Sequence, residues 1–377
     1  MRILQITNSF FPVIGGQEKV VLELSKGLAK RGHKVTVLTT DYLCKGKVKS
    51  EEEKFGFKIV RFKNDYWFAG YGYSRGAMRW LKENYRNFDV VHCHGYNRYL
   101  AEFSLRFLGN KKPTIFSPLG FVHTKKNLFF KKVHDLTIGK FIKKATYATA
   151  LSKSEFEYYK KLGVKKKKIF EIPGGVNLDD FSKKNEKRLN VFREKYSIKG
   201  DFILSVGRLH ESKGFQYLIK AIKGLEINLV IIGKDAGFKK ELERIAKDQG
   251  LQEKVKILDG ISDEEKVDAY NSCFAFVLFS EWEGFGIVVI EAMAAGKPVI
   301  VSDRGSLPFL VTDGENGLIA TFPSVEELTK KLKELLKNDK LRLKLARISK
   351  KFSRAFSWGN IVRKTEKLYK KALEDEK

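Results

Sequence analysis

The sequence predicts an α/β protein made of two doubly wound domains with parallel sheets. Three observations lead there. Short apolar strands alternate with amphipathic helices along most of the chain. The alternation breaks once, at Pro173-Gly174-Gly175 and the charged stretch after it, and then restarts. The chain has 377 residues, 43% of them hydrophobic, enough for two cores at about 100–200 residues per domain.

In the first domain, Arg2–Thr7 reads as a strand running into a glycine-containing loop, Asn8–Gly16. Gln17–Arg31 sets Val20, Val21, Leu24 and Leu28 on one helical face, and Gly32 stops it. Lys34–Thr40, Asp89–Cys93, Thr114–Ser117, Tyr147–Leu151 and Lys168–Ile172 read as further strands, with helices between them. The boundary falls at the glycine cluster, giving domains 1–176 and 177–355. In the second domain, strands are expected at Phe202–Val206, Asn228–Ile232, Val255–Leu258, Phe274–Leu278 and Pro298–Ser302. Helices are expected at Gly214–Lys223, Lys239–Gln249, Glu264–Asn271 and Ile287–Ala295. Helices near Ser324–Lys337, Lys340–Phe352 and Trp358–Glu374 close the chain. Two such domains leave a cleft between the carboxyl ends of their sheets, the favoured ligand position in α/β folds.

Apolar runs such as Phe274–Phe279 are well under the ~18 residues of a membrane span. The first residues are too polar for a signal peptide. Three scattered cysteines give neither a disulfide framework nor a metal spacing. A cytoplasmic protein is expected. Charge is the unusual quantity, at +28 overall. Residues 1–172 hold 35 Lys/Arg and 14 Asp/Glu, a net +21, and the rest of the chain only +7. That asymmetry points to an anionic surface or polymer beside the first domain. Its alternatives are solubility with ion pairing, or heat adaptation, given the high Lys/Glu usage.

Four segments carry candidate chemistry. Gly207-Arg208-Leu209-His210-Glu211-Ser212-Lys213-Gly214 follows a strand and opens a helix. Gly207 permits the turn, while Arg208 and Lys213 supply a charged fork and a point charge suited to a diphosphate. The competing reading is a pair of solvated surface cations. Glu283-Gly284-Phe285-Gly286 forms a loop whose backbone can approach a ligand closely. Glu291, expected at the beginning of the next helix, is a carboxylate on an apolar element and needs a partner, such as the vicinal hydroxyls of ribose. Glu283 could accept from a bound sugar. Acids near a helix N-terminus explain one of these glutamates better than both. Phe11-Pro12-Val13-Ile14-Gly15-Gly16 resembles a phosphate loop but lacks the Lys-Ser/Thr ending of a triphosphate loop. His92 and His94 end a strand and share one of its faces. No supporting zinc ligands are spaced around them. One reads as a packed histidine, and His94, nearer the strand end, as the site residue.

Together these segments resemble the retaining family-4 glycosyltransferases, which have the GT-B fold. The resemblance covers nearly the whole chain. Its most specific part is Glu283-Gly-Phe-Gly-Ile-Val-Val-Ile-Glu291 continuing into Ala292-Met-Ala-Ala-Gly-Lys-Pro-Val-Ile, with Gly207-Arg-Leu and Ser212-Lys-Gly214 upstream. Gly15-Gly16, Asp89 to His94, Ser117-Pro-Leu-Gly120, Ile172-Pro-Gly-Gly-Val-Asn177 and Phe356-Ser-Trp358 follow in the family's order. The resemblance implies a nucleoside-diphosphate sugar as donor substrate, with no cofactor required. Arg208 and Lys213 would bind the diphosphate, Glu291 the ribose and Glu283 the transferred sugar. Gly15 and Gly16 would offer backbone N–H groups to the phosphates, His94 would sit by the reacting carbon, and Gly260 and Ile261 would meet the base. Residues 356–377 would cross back onto the first domain. Departures occur at Pro173-Gly-Gly-Val-Asn177, Gly305-Ser-Leu-Pro-Phe309, Pro118-Leu-Gly120 and Gly233-Lys-Asp235.

Cleavage of the anomeric bond builds negative charge on the departing phosphate, which fixed cations stabilise. The chain contains no D-x-D, so a metal-free reaction is expected, with Arg208 and Lys213 in the metal's electrostatic role. Residues 125–144 interleave Leu128, Phe129, Val133, Leu136 and Phe141 with lysines, a pattern suited to an anionic membrane surface. The acceptor would then be a lipid-linked sugar or lipid phosphate, and the enzyme peripheral at the inner face of the membrane. The alternative for this stretch is a core helix with a lysine-rich solvent face. Two other functions compete: a glucan- or sucrose-type synthase on soluble acceptors, and a non-catalytic nucleotide-sugar-binding protein. Nucleic acid is not an expected partner, because no recognised binding motif is present and the acids of the cleft would repel phosphate.

Overall fold

The computed structural model describes residues 1–13, 15–68, 71–120, 128–182 and 185–376. The chain divides into two units, Met1–Gly175 with Trp358–Lys377, and Val176–Ser357. The expected division was 176/177 and 355/356.

The first unit holds an eight-stranded sheet. In spatial order the strands are Ile169–Glu171, Tyr147–Ala150, Thr114–Ser117, Val90–His94, Arg2–Ile6, Lys34–Thr40, Phe57–Phe62 and Glu51–Lys54. All pairs are parallel except that of the last strand, which is antiparallel to Phe57–Phe62. Strand order reverses between Arg2–Ile6 and Val90–His94, which pair with Gln5 opposite His92. Parallel sheets need both faces covered. Accordingly Leu4 and Ile6 enter one apolar cluster and Ile3 the other. The helix Trp358–Glu374 returns to this unit, packing on Gly16–Lys30 through Arg31 Nε to Glu366 Oε2 at 2.6 Å.

The second unit has six parallel strands in the order Val255–Leu258, Asn228–Ile232, Phe202–Val206, Ala275–Leu278, Val299–Ser302, Leu318–Ala320. In chain order this is 3-2-1-4-5-6, the doubly wound arrangement whose switch point lies between strands 1 and 4. Its helices form for local reasons. Asp263–Ser272 begins with a capping box, Ser262 and Glu265. Val325–Lys337 is capped by Ser324 and buries Leu328, Leu332 and Leu335 on one face.

Four strands were not expected from the first half of the sequence: Glu51–Lys54, Phe57–Phe62, and the hairpin Tyr66–Phe68 with Tyr71–Tyr73. The first is Glu-Glu-Glu-Lys at a sheet edge, where charge is tolerated because one side faces water. Phe57–Phe62 carries Arg61, 3% exposed, which breaks the apolar pattern yet bonds to the carbonyls of Lys49 and Phe11, both at 2.6 Å. Leu318–Ala320 was also missed, being three residues long. Among the described residues no helix is long and apolar enough to cross a membrane.

Gly214 shows how tightly the strand ends meet. Its φ is +71°, and a Cβ there would lie 1.8 Å from the carbonyl oxygen of Phe279. Gly214→Ala combines a left-handed backbone, costing about 1–3 kcal/mol, with this clash. Scanning calorimetry should show unfolding of the second unit lowered by at least roughly 5 °C.

Candidate active site

The groups singled out in the second unit gather at its switch point. Phe202–Val206 ends at Gly207, and the chain continues through a short 3-10 turn, Glu211–Lys213. The close approach of Gly214 to Phe279 sets this turn beside the loop after Ala275–Leu278, and Glu281 N–H donates to the Ser212 carbonyl at 2.9 Å. Lys213 Nζ therefore reaches Glu283 Oε2 at 2.6 Å, both side chains less than one-fifth exposed. Glu283 is backed by Gly305, where a Cβ would lie 2.5 Å from the Glu283 carbonyl. Ser306 clamps the same loop, its N–H donating to Glu283 O at 2.9 Å and its hydroxyl to Gly284 O at 2.6 Å. Phe285 is buried, and Gly286, at φ +91°, precedes the helix Ile287–Ala294. Arg208 is exposed and makes no ion pair among the described residues. Gly260 is exposed and Ile261 half-buried, just past Val255–Leu258.

Glu291 requires a correction. It is the fifth residue of an eight-residue helix rather than its beginning, and it is 8% exposed. Its partners come from one face of Asp263–Ser272. Tyr270 donates to Oε2 at 2.8 Å, and Lys266 Nζ lies 3.2 Å from Oε1. Burial and the charge of Glu291 hold the Tyr270 hydroxyl well above the ordinary phenol range. Each carboxylate oxygen keeps a further lone pair, so a diol can still be accepted. Lys266 and Tyr270 were not singled out from the sequence. Their signal was the spacing of four on a helix beside the Glu291 helix. At Gly233-Lys-Asp235 a built-in anion occupies the next helix start. The Asp235 carboxylate accepts from the N–H groups of Gly237, Phe238 and Lys239, which pulls its pKa down.

In the first unit the switch point is flanked by the glycine loop and by His94. Gly15 caps the helix Gly16–Lys30 and Gly16 begins it, with open space around a Cβ at Gly16. Ile14 lies outside the described residues. Glu18, in the first turn, accepts from the Ser9 hydroxyl.

His94 and His92 are both buried, their ring centroids 3.9 Å apart. A chain of hydrogen bonds orders them. His94 Nε2–H donates to Gln5 Oε1 at 2.5 Å, and Gln5 Nε2–H to the Tyr369 hydroxyl at 3.1 Å. That hydroxyl can then donate to His92 Nδ1 at 2.6 Å, and His92 Nε2–H to Ser117 Oγ at 2.7 Å. Ser117 and Thr149 share the last bond. In this direction each link of the chain has one donor and one acceptor, which sets both tautomers. His94 Nδ1 is left over as a buried lone pair with no partner. Burial lowers the His94 pKa to about 3, so the ring offers an acceptor and not a cation. Gln5 and Tyr369 were not singled out from the sequence, and Ser117 only as part of Ser117-Pro-Leu-Gly120. Gln5 left a trace there as a polar residue inside Ile3-Leu4-Gln5-Ile6.

Two family models cover most of the chain. Residues 14–180 match Glycosyltransferase Family 4, and residues 188–352 match Glycosyl transferases group 1. The chain belongs to the family-4 glycosyltransferases. Similar proteins include the uncharacterized glycosyltransferase MJ1178 of Methanocaldococcus jannaschii, 37% identical over 45% of this chain and 48% of that one. MJ1607 of the same organism is 26% identical over 99% of both chains. Phosphatidyl-myo-inositol mannosyltransferase of Mycobacterium leprae is 28% identical over 98% of this chain and 96% of that one. Among solved structures, sucrose-phosphate synthase from Thermosynechococcus elongatus superposes with TM-score 0.80 at 20% identity over 99% of both chains. Anabaena HepE in complex with UDP superposes with TM-score 0.79 at 18% identity, over 98% of this chain and all of HepE. These likenesses show two Rossmann-like domains of GT-B type.

The buried histidines set an acid limit. The folded pKa of His94 lies below its ordinary 6.5, so the folded state resists a proton that the unfolded chain accepts. Stability is full above pH 6.5 and falls as pH drops from there toward 3. At pH 4.5 the loss from His94 is roughly 2–3 kcal/mol. Thermal unfolding at pH 7 and 4.5 should show a smaller acid shift for His94→Asn than for the wild type.

Proposed function

We propose that the chain transfers a glycosyl group from a nucleoside-diphosphate sugar to an acceptor hydroxyl, with retention at the anomeric carbon and without a metal ion. The observation that carries this reading is the meeting of Lys213 and Glu283 at the switch point of the second unit, with Arg208 exposed nearby in sequence. An ammonium has three donors, so Lys213 can hold Glu283 and still meet a phosphate oxygen. Lys213 and Arg208 stabilise the charge that grows on the leaving diphosphate. Glu283 accepts from hydroxyls of the transferred sugar, and Glu291 from the ribose diol. His94 Nδ1 accepts from a sugar hydroxyl. HepE, solved with UDP and with UDP-glucose, supports the donor class. A front-face attack by the acceptor fits, since no carboxylate stands out as a nucleophile. The setting proposed is synthesis of a glycolipid, a lipid-linked oligosaccharide or a cell-surface polysaccharide.

The test is release of nucleotide from UDP-, GDP- and ADP-sugars in EDTA. One donor should be hydrolysed slowly, and Lys213→Ala should reduce that rate by roughly 10²–10³. Equal rates in wild type and variant would remove Lys213 from the reaction.

A membrane-facing first unit is also proposed, on a specific observation. Residues 125–127 and the side chains of 128–131 lie outside the described residues. Beyond them, Val133 is 44% and Leu136 64% exposed, and Lys132, Lys140, Lys143 and Lys144 are exposed. His134, on the opposite face, is buried against Glu102 at 3.0 Å, which anchors the helix Leu128–Leu136. Each lysine near an anionic surface contributes about 1 kcal/mol. The protein should float with phosphatidylglycerol vesicles at low salt, and Leu136→Glu with Lys140→Glu should abolish this. Failure of the wild type to float would sink the membrane reading alone.

A further inference from the structure

We propose that Lys266 and Tyr270 are positioning residues, which together hold the Glu291 carboxylate in the orientation that lets the second unit tell a ribonucleotide from its 2′-deoxy counterpart. This rests on the nucleotide-sugar reading above and names what sets ribose selectivity at that same site.

Glu291 stands among the buried residues Val289, Ile290, Ala292 and Met293 of the helix Ile287–Ala294. A carboxylate in such company is costly unless it is paired and hydrogen-bonded. Among the described residues its side chain has two partners, and they divide its oxygens between them. Lys266 Nζ meets Oε1 and the Tyr270 hydroxyl meets Oε2. Both project from Asp263–Ser272, four positions apart and so on one face. Turning the carboxylate about its Cγ–Cδ bond would break both contacts. Lys266 alone would balance the charge. Tyr270 adds no charge, so what it contributes is direction. Its hydroxyl keeps its proton far into the alkaline range and stays a donor.

The two partners are themselves held. The Tyr270 ring is fully buried, its centroid 5.8 Å from that of Phe181 and 5.6 Å from that of Phe276. Lys266, one turn earlier, is half-buried. A different face of their helix is braced by the helix Glu186–Lys195. Arg188 meets Asp268 at 3.1 Å, and Lys195 meets Glu265 at 2.5 Å. Rotation of Asp263–Ser272 would have to break these pairs as well. The carboxylate is thus fixed through two layers of contacts, while its own acceptor capacity is only half used. Two carboxylate oxygens offer about four lone-pair sites, and the two partners take two of them. The vicinal hydroxyls of a ribose supply two further donors. A nucleotide that lacks one hydroxyl leaves a site on this carboxylate unmatched. A site built to bond a hydroxyl rejects the analogue without it.

Isothermal titration calorimetry on the full chain in EDTA tests this, comparing UDP, GDP and ADP with their 2′-deoxy counterparts. At least one ribonucleotide should bind about tenfold or more tighter than its 2′-deoxy form. Glu291→Gln should remove most of that preference. Tyr270→Phe keeps the ring and deletes only the hydroxyl, and it should cut the ratio below about threefold. It should do so by weakening the ribonucleotide and leaving the 2′-deoxy form nearly unchanged. Lys266→Gln, at a half-buried position, should act in the same direction. A merely structural role would instead weaken both nucleotides alike and preserve the ratio. That result, in both Tyr270→Phe and Lys266→Gln, overturns the proposal. So does a wild type that binds the ribonucleotide and its 2′-deoxy form equally. Absence of binding by any of the ribonucleotides would overturn the nucleotide-sugar reading itself.

Discussion

The contact on which the candidate site of the second unit depends is backbone against backbone. Gly214 sits where any Cβ would strike the Phe279 carbonyl. That approach joins the loops after the first and fourth strands of the second unit, on either side of the point where strand order reverses. Only then can Lys213 and Glu283 pair, drawn from loops seventy positions apart. Gly305 and Ser306 press on Glu283 from behind. The Lys213–Glu283 pair is therefore set by main-chain geometry, and its side chains extend only a short way beyond it. Rigid support of this kind lowers the reorganisation needed as charge develops.

The first unit uses different physics. The buried polar atoms around His94 are neutral: two imidazoles, with His94 held uncharged by burial, the Gln5 amide, and the Tyr369 and Ser117 hydroxyls. Its net positive charge, +21 over residues 1–172, comes mainly from exposed lysines. Interior and surface thus address different things. The buried groups beside His94 suit neutral hydrogen-bonding partners, and the exposed lysines suit an anion.

What could be read from the sequence was local. The Glu283 to Glu291 segment and the Arg208 to Lys213 segment each lie within one strand–loop–helix step, so spacing alone brings their members close. The strand and helix cores were likewise visible wherever apolar periodicity was clean, as in Phe202–Val206 and Asn228–Ile232. It failed where a charge was buried, as at Arg61, or where a strand was polar throughout, as in Glu51–Lys54. It also failed for partners brought in from afar. Tyr369 meets Gln5 across 364 positions, and no periodicity encodes that pairing. Glu291 was recognised as a carboxylate in need of a partner, but Lys266 and Tyr270 became visible only once two helices lay side by side.

One feature of the chain path bears on how such proteins diversify. The main chain leaves the first unit at Gly175 and re-enters at Trp358, and these two residues touch: a Cβ on Gly175 would lie 2.4 Å from the Trp358 ring. Directly beyond them, Val176 pairs with Ser357. The second unit is thus an insert whose two ends meet the host at neighbouring residues. A genetic exchange with breakpoints at these two places would swap the whole insert and leave Gln5, His94 and Tyr369 together. Recombination could then pass one unit between lineages as a cassette, while the other inherits its buried network intact. The reverse trade is closed, because the first unit is written in two separate pieces of the gene.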